Sequence, residues 1–181
     1  MKYIKTLVGA VVAVALFVST VSAAPSTNSP LTTASGDLGV WSLAVAGGGS
    51  SALNNNKLNN SIVGGTIELG HSGDLILPLE FGVRQSIGYS DANSSLWSFN
   101  TAIFNDWTLV KLGNLEFDAG GNVGYAYGNQ TPDWTAGPEV VARLYLKKDV
   151  DLFGRVEYPY DLTNGRSEDS LTYKIGLRVR F

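Results

Sequence analysis

The sequence predicts an all-β protein, an eight-stranded antiparallel up-and-down β-barrel. Eight segments alternate apolar and polar residues with the period of two that half-buried strands show. The connections between these segments alternate between long and short, and the last segment is apolar at every second residue up to Phe181. The predicted strands are 38–46, 61–70, 75–89, 96–110, 115–127, 137–146, 151–160 and 171–181.

Residues 1–23 have the features of a secretory signal peptide. The segment begins with lysines, continues with a short apolar run and ends with small residues at 21–23, so we predict cleavage after Ala23. An N-terminal membrane anchor is the alternative interpretation of this segment. Residues 24–37 are polar and contain Pro and Ser, which predicts a flexible periplasmic lead-in before the barrel at 38–181.

The first two predicted strands have large side chains on one face and small or polar ones on the other. On the first strand, Trp41, Leu43 and Val45 share the apolar face. Gly, Ser and Asn dominate 47–60, which predicts a long loop. The sequence His-Ser-Gly-Asp at 71–74 predicts a tight turn after the second strand.

The next two strands are less regular. Pro78 cannot donate to a ladder in a closed barrel, so we predict a bulge near this residue. On the fourth strand, Thr101 and Asn105 share the otherwise apolar face. A polar loop is predicted at 90–95 and a short turn at 112–114.

The last four strands repeat the same rhythm. Apolar residues on the fifth, sixth and seventh strands alternate with glycines and charged residues, with a loop predicted at 128–136 and a turn at 147–150. A polar loop at 161–169 leads to the closing strand. An even strand number places both ends of the barrel on the side of the short turns.

The pattern of the faces predicts a transmembrane barrel. The closing strand is long enough for a tilted crossing, which takes about 9–11 residues, and no apolar run after the leader approaches the ~20 residues of a spanning helix. No charge lies in mid-strand on the apolar face, where Arg or Lys costs about 2–4 kcal/mol at the bilayer centre. We therefore predict short periplasmic turns and longer extracellular loops. A soluble secreted β-sandwich remains the alternative fold.

Acidic and basic residues are predicted to face each other inside the barrel. They are equal in number, which indicates a salt-bridged plug, although a water-filled lumen with weak ion pairs is the alternative. The hairpin at 161–169 sets Glu157 near Lys174, the pair we single out. The predicted lumen charges are Glu68, Glu80, Arg84, Glu116, Asp118, Glu139, Arg143, Arg155, Glu157, Lys174 and Arg178, with Arg180 beside them.

Aromatic residues on the apolar face fall near the strand ends. Two aromatic rings around an aliphatic band are typical of the levels where headgroups meet hydrocarbon. Ordinary aromatic packing in a β-sandwich is the alternative. The predicted girdle residues are Trp41, Tyr89, Trp97, Trp107, Tyr125 and Tyr158.

Neither a catalytic nor a metal or cofactor site is predicted. The single histidine, His71, lies in a predicted turn, where adjacent residues cannot readily form a nucleophile–base–orienter chain. The acids Asp161, Glu168 and Asp169 fit no calcium-loop spacing and are interpreted as solvated loop residues. The glycines at 120–124 follow no strand-to-helix pattern, which argues against a phosphate loop.

The closing strand resembles the last strand of bacterial outer-membrane β-barrels. The residues that carry this resemblance are Tyr173, Ile175, Leu177, Val179 and Phe181. The chain from 38 to 181 resembles the small barrels of the OmpA-membrane-domain and OmpX/Ail type. The resemblance implies a non-enzymatic protein of the Gram-negative outer membrane with a structural or surface-interaction role. A small porin-like channel and a lipid-modifying enzyme are the alternatives.

The same resemblance implies the partners. We expect outer-membrane lipid and lipopolysaccharide around the barrel, recognition of the C-terminal strand by the barrel-assembly machinery, and a monomer. The chain is expected to lack the periplasmic peptidoglycan-binding domain of larger members. The formal net charge of −3 gives no basic footprint for nucleic acid, and the absence of cysteine excludes disulfides and thiol chemistry.

Overall fold

The computed structural model describes residues 40–52, 59–74, 78–90, 96–128, 132–163, 166–167 and 170–181. The predicted signal peptide and lead-in lie outside these residues. Among the residues described, no helix is long and apolar enough to cross a membrane.

Within the described ranges, alternating residues form ten β-strands, of which eight are long. The strands are β1 Val40–Ala52, β2 Asn59–Asp74, β3 Pro78–Ser90, β4 Leu96–Leu112, β5 Leu115–Gly128, β6 Asp133–Lys147, β7 Val150–Glu157, β8 Tyr160–Asp161, β9 Arg166–Ser167 and β10 Ser170–Arg180. The two-residue strands β8 and β9 pair with each other, and β8 also pairs with β6. They form a short ribbon at the long-loop end, where β8 pairs with β6 beyond the end of β7.

The eight long strands close into an antiparallel barrel. Each pairs with its neighbours in the chain, and β10 pairs with both β7 and β1. In the closing ladder, Ser42 pairs with Arg180 at one end and Ala52 with Ser170 at the other. Closure leaves the eight-stranded sheet without a free edge, so the predicted fold class is confirmed.

Several predicted connections are wrong because the strands are longer than the apolar band. Most of the predicted loop at 47–60 belongs to β1 and β2, and the predicted turn at 71–74 belongs to β2. Residues 133–136 of the predicted loop at 128–136 belong to β6. Ladder hydrogen bonds require only backbone groups, so Gly, Ser and Asn continue a strand beyond the apolar region. A search for alternating apolar residues therefore does not predict these extensions.

Pro78 is the first residue of β3 and pairs with Asp74, and the β2–β3 ladder continues without a register shift. The predicted bulge there is therefore wrong, because a first strand position tolerates proline. The register shifts instead at three other places: between Ser50 and Ala52 on β1, between Thr108 and Val110 on β4, and between Tyr145 and Lys147 on β6. At the other end of the sheet, β7 stops at Glu157 rather than at residue 160.

The two faces of the sheet meet different surroundings. Large aliphatic side chains point outward, with Ile103 64 % and Ile175 66 % exposed. Charged side chains point inward and are almost completely buried, as for Arg155 and Arg178. A soluble barrel would show the reverse arrangement. The fold thus places ions in its core and hydrocarbon side chains on its surface.

Candidate functional site

Much of the lumen is occupied by ion pairs that we call the ion network. The Arg180–Asp151 pair joins the other pairs through the Tyr145 hydroxyl, which contacts both Arg180 and Glu116. Among the described residues the network joins eight carboxylates to six bases, each with a side chain at most 12 % exposed. Its acids are Glu68, Glu80, Asp106, Glu116, Asp118, Glu139, Asp151 and Glu157. Its bases are Arg84, Arg143, Arg155, Lys174, Arg178 and Arg180.

Two arginines hold the middle of the network. Arg84 contacts three glutamates: its Nε lies 3.0 Å from Glu68 Oε1 and its Nη1 lies 3.0 Å from Glu139 and 2.6 Å from Glu157. Arg155, from the opposite wall, binds the Glu68 carboxylate through both of its terminal nitrogens. Such two-pronged pairs combine strength with fixed geometry. The middle layer therefore ties β2 and β3 to β6 and β7 across the lumen.

A second cluster fills the half of the lumen near the short turns. Arg143 lies 2.8 Å from Glu80, 2.8 Å from Asp118 and 3.3 Å from Glu116. Glu80 also pairs with Arg178 and accepts a hydrogen bond of 2.6 Å from the Ser42 hydroxyl. The Tyr145 hydroxyl donates to Glu116 at 2.9 Å. Each of these acids thus lies beside a base, and Glu80 and Glu116 also accept a hydrogen bond from a hydroxyl group.

Aromatic and aliphatic side chains occupy the remaining space between the ions. The guanidinium carbons of Arg84 and Arg155 lie 4.8 and 5.6 Å from the centre of the Phe104 ring. Those of Arg155 and Arg178 lie 5.3 and 5.2 Å from the Phe153 ring. Desolvated contacts of this kind are worth about 2 kcal/mol. Rings and ions together fill the middle of the lumen and its half near the short turns.

All eleven predicted lumen charges point into the barrel and belong to the network. Sequence reasoning missed Asp106 and Asp151, so acids outnumber bases instead of matching them. It also did not anticipate Phe104 as a ring between arginines. Asp106 lies between the outward residues Asn105 and Trp107, so alternation alone would have placed it on the inward face. The polar residues on the outward face of β4 made this alternation hard to recognise.

The pair singled out from the sequence, Glu157 and Lys174, is formed. The Lys174 Nζ atom lies 3.2 Å from Glu157 Oε1 and 3.5 Å from the Ser86 hydroxyl. Glu157 has a second partner in Arg84, so removing the lysine does not leave the carboxylate alone.

We expect Lys174→Ala to lower the free energy of unfolding by about 1–3 kcal/mol, because one charged hydrogen-bond partner is lost while Arg84 remains. Urea unfolding of the barrel in detergent measures the change. The control is Lys111→Ala, since Lys111 is 41 % exposed and lies 3.8 Å from Glu116, and it should shift stability by less than about 0.5 kcal/mol. Equal effects of the two substitutions would contradict the prediction.

The neutral part of the lumen lies next to the long loops. A cavity of about 220 Å³ is lined there by small polar residues, including Ser50, Thr66 and Ser98. Its charged lining residues are Arg84, Glu157 and Lys174, which belong to the ion network. A solute entering from this side would therefore meet paired ions within the barrel.

The predicted girdle residues lie on or beside the outer wall. Tyr89 packs on Trp97 with ring centres 5.0 Å apart, and Tyr125 packs on Trp134 at 5.2 Å, both near the long loops. Trp41 lies at the opposite end, 46 % exposed. Tyr158 falls just beyond β7, where its backbone N–H donates to the Pro138 carbonyl at 3.1 Å.

Trp107 has a polar neighbour on the outer wall. The Asn105 amide, oriented so that both of its groups are satisfied, accepts from the Trp107 indole N–H at 3.0 Å and donates to the Gly121 carbonyl at 3.0 Å. Asn105 also borders a shallow apolar groove of about 950 Å³ on the outer wall, where small residues such as Ala136 line the surface. This pairing explains how an amide is accommodated on the apolar face.

His71 is not a turn residue, and the structure corrects its position. It lies on the outer face of β2, between Trp41 at 4.8 Å and Phe81 at 5.4 Å, measured between ring centres. Its neighbour Ser72 falls on the other face of the strand. The histidine therefore packs as an aromatic ring, and no described nucleophile or acid is placed against it.

No group of three or more His, Asp or Glu side chains in the described part of the chain is arranged to hold a metal ion. Of the loop acids considered from the sequence, Asp161 lies in β8. Glu168 and Asp169 fall outside the described residues. The glycines at 120–124 belong to β5, where Gly120 and Gly124 face the lumen side of the wall.

Comparison with solved structures identifies the fold. The chain is similar to a crystal structure of Neisserial surface protein A, with 13 % identity, a TM-score of 0.54 and coverage of 79 % of this chain and 97 % of that one. It is also similar to a major outer membrane protein from Thermus thermophilus, with 14 % identity, a TM-score of 0.55 and coverage of 79 % and 99 %. The fold is that of the small outer-membrane β-barrels. No protein-family model and no curated protein matches the chain.

Proposed function

We propose that this outer-membrane-type barrel is an integral, non-enzymatic protein of the bacterial outer membrane with a structural or surface-interaction role and a closed lumen. The observation that carries the proposal is the inverted distribution of residues, with aliphatic side chains outside and paired ions inside. Aliphatic residues on the outer wall suit lipid tails. Buried ions are stable only when they are paired, as they are in the ion network.

The partners follow from the same surfaces. Lipid and lipopolysaccharide surround the outer wall, with Trp41 and the aromatic residues near the long loops at the two headgroup levels. The barrel-assembly machinery recognises the C-terminal strand, whose side chains Tyr173, Ile175 and Phe181 point outward and are exposed. We further propose export through a signal peptide cleaved after Ala23, and a monomeric barrel.

Brominated lipids test the membrane position. In vesicles, bromine atoms on acyl chains quench tryptophans at the hydrocarbon boundary, so fluorescence of the folded barrel should fall strongly. The matched pair Trp41→Phe and Trp107→Phe should each remove part of the quenched signal. Fluorescence that is insensitive to brominated lipids in a folded sample would contradict an integral barrel.

A small channel is the second candidate, favoured by the polar cavity next to the long loops. The paired ions at its inner end argue against passage, because moving them apart exposes charges that are each stabilised by a partner. We expect no steady conductance steps when the purified barrel is inserted into a planar lipid bilayer. Heat-modifiable gel migration of the same sample shows that the inserted protein is folded. Steady conductance from folded protein would favour the channel.

A further inference from the structure

The two halves of the lumen differ in the size of their inward side chains. In the middle and near the short turns, the inward positions carry the ion network and the rings packed against it. Towards the long loops the same strands continue with small residues, so that Glu68 is followed on β2 by Thr66, and Arg84 is followed on β3 by Ser86 and Gly88. This change in size leaves the cavity of about 220 Å³ beside the long loops.

Hydroxyl groups line this cavity from several sides. Among the described lining residues they come from six of the eight long strands, and they belong to Ser50, Thr66, Ser86, Ser98, Thr135 and Thr172. The Thr66 and Ser86 hydroxyls lie 3.0 Å apart, and the Thr135 hydroxyl accepts from the Asn100 amide at 3.1 Å. Because each hydroxyl has one donor hydrogen and two acceptor lone pairs, a ligand in the cavity meets both kinds of partner.

The charges at the floor of the cavity are already paired. The Arg84 side chain is only 2 % exposed and is held by the ion network, whereas Lys174 and Glu157 lie 3.2 Å apart with side chains 11 % and 12 % exposed. A charged ligand would have to compete for one of these partners, and separating such a pair is costly. A ligand hydroxyl can both donate and accept, so it can approach the pair without separating it. The floor therefore favours an uncharged polar ligand.

The walls and the volume narrow the class of ligand further. An apolar ligand would cover the hydroxyl groups without replacing their hydrogen bonds to water, which is unfavourable. The cavity has the volume of roughly seven water molecules at about 30 Å³ each, and it is smaller than the ~300–1,000 Å³ of sites for drug-sized ligands. A single sugar ring, which carries hydroxyls on most of its carbons, suits both the size and the lining.

We propose that this cavity is a dead-end binding site for an uncharged polyol of the size of one monosaccharide. Its hydroxyls take the place of water against the ring of Ser and Thr side chains, and the Glu157–Lys174 pair holds it from below. The inference rests on the closed lumen of the proposed function, because the ion network supplies the floor. We expect a dissociation constant of about 1–10 mM, since hydrogen bonds that replace bonds to water contribute little net affinity.

Amide NMR spectra of the isotope-labelled barrel in detergent micelles, recorded during a titration with glucose, test the site. The amide signals of Thr66, Ser86 and Thr172 should shift and saturate, whereas those of Asp151 and Phe153, which lie outside the cavity lining, should stay in place. Glycine and inorganic phosphate at matched ionic strength are the charged probes, and they should cause smaller shifts. Maltotriose is the second sugar probe: shifts with glucose alone indicate a free monosaccharide, and shifts with both indicate the terminal ring of a glycan.

A matched pair of substitutions locates the sugar. Thr172→Leu places an apolar side chain in the cavity and should raise the dissociation constant for glucose about tenfold or more, because space and hydrogen-bonding groups are lost together. Thr101→Leu makes the same change on the outer wall, where Thr101 is exposed and contacts Gln85, and should leave the dissociation constant unchanged. Heat-modifiable gel migration shows that each variant is folded.

Three results would overturn the proposal, and the first two need no variant. One is the absence of saturable shifts at the lining amides with either sugar, up to about ten times the expected dissociation constant. Another is a larger response to glycine or phosphate than to glucose. The third is unchanged glucose affinity in folded Thr172→Leu. Steady conductance would instead count against the closed lumen while leaving sugar-dependent shifts visible, so failure of the proposed function and failure of the sugar site can be told apart.

Discussion

Replacing Arg155 by methionine is expected to lower the free energy of unfolding by about 3–5 kcal/mol, the loss typical of a buried ion pair that loses one partner. Arg155 is buried in the wall of β7 and binds both oxygens of Glu68. Methionine preserves much of the side-chain length but leaves the Glu68 carboxylate with only Arg84 for a cation. Urea unfolding in detergent, followed by tryptophan fluorescence, measures the effect.

A double substitution separates lost charge from lost packing. Adding Glu68→Gln to Arg155→Met removes the carboxylate that was left behind, so the double variant should recover a substantial part of the lost stability. The Phe104 and Phe153 rings near Arg155 remain in place in both variants. Strictly additive losses would contradict the view that the network acts through charge compensation.

Gly48→Ala is expected to destabilise the closed barrel by about 3 kcal/mol, near the upper end of the range for overpacking. An added Cβ at Gly48 would lie 1.9 Å from the Tyr173 carbonyl oxygen and 2.8 Å from the Lys174 Cα. Both atoms belong to the backbone of β10, so no side-chain rotation relieves the clash. The first and last strands would have to separate at the seam that closes the sheet.

The adjacent glycine provides the matched control. An added Cβ at Gly47 points to the other face and meets no atom closer than the Gly64 carbonyl oxygen at 3.9 Å. Gly47→Ala should therefore remain close to wild type in unfolding by urea and in cold-gel migration, where a closed barrel resists detergent. A Gly48→Ala barrel as stable as the Gly47→Ala barrel would show that the seam tolerates the side chain.

The strands that were easiest to predict are those with aliphatic residues at every outward position. On β10 the apolar alternation ends within one residue of the observed strand, because its outward face is apolar along its whole length. Strand ends that lie outside the apolar region are held by backbone hydrogen bonds and are not marked by apolar residues. The Gly and Ser residues at 47–52 are held by ladder bonds to β2 and β10, which depend on backbone partners and not on residue type.

The ion network was predictable as a set of residues but not as a set of contacts. Alternation places Arg84, Arg155 and Glu68 on the inward face, yet their pairing depends on which strands meet across the lumen. Arg84 and Glu139 are far apart in the chain and lie on opposite walls. The predicted pair of Glu157 and Lys174 could be found because a single hairpin connects them.

The sequence by itself determined that the protein is a closed eight-stranded sheet with aliphatic residues on one face and charges on the other, because a period of two assigns each side chain to a face. Only the tertiary structure decided which charge meets which, that His71 lies on the outer wall, and that Asp106 joins the ion network between Arg143 and Arg155. These outcomes depend on strand register and on barrel closure, which bring distant residues within a few ångströms of each other.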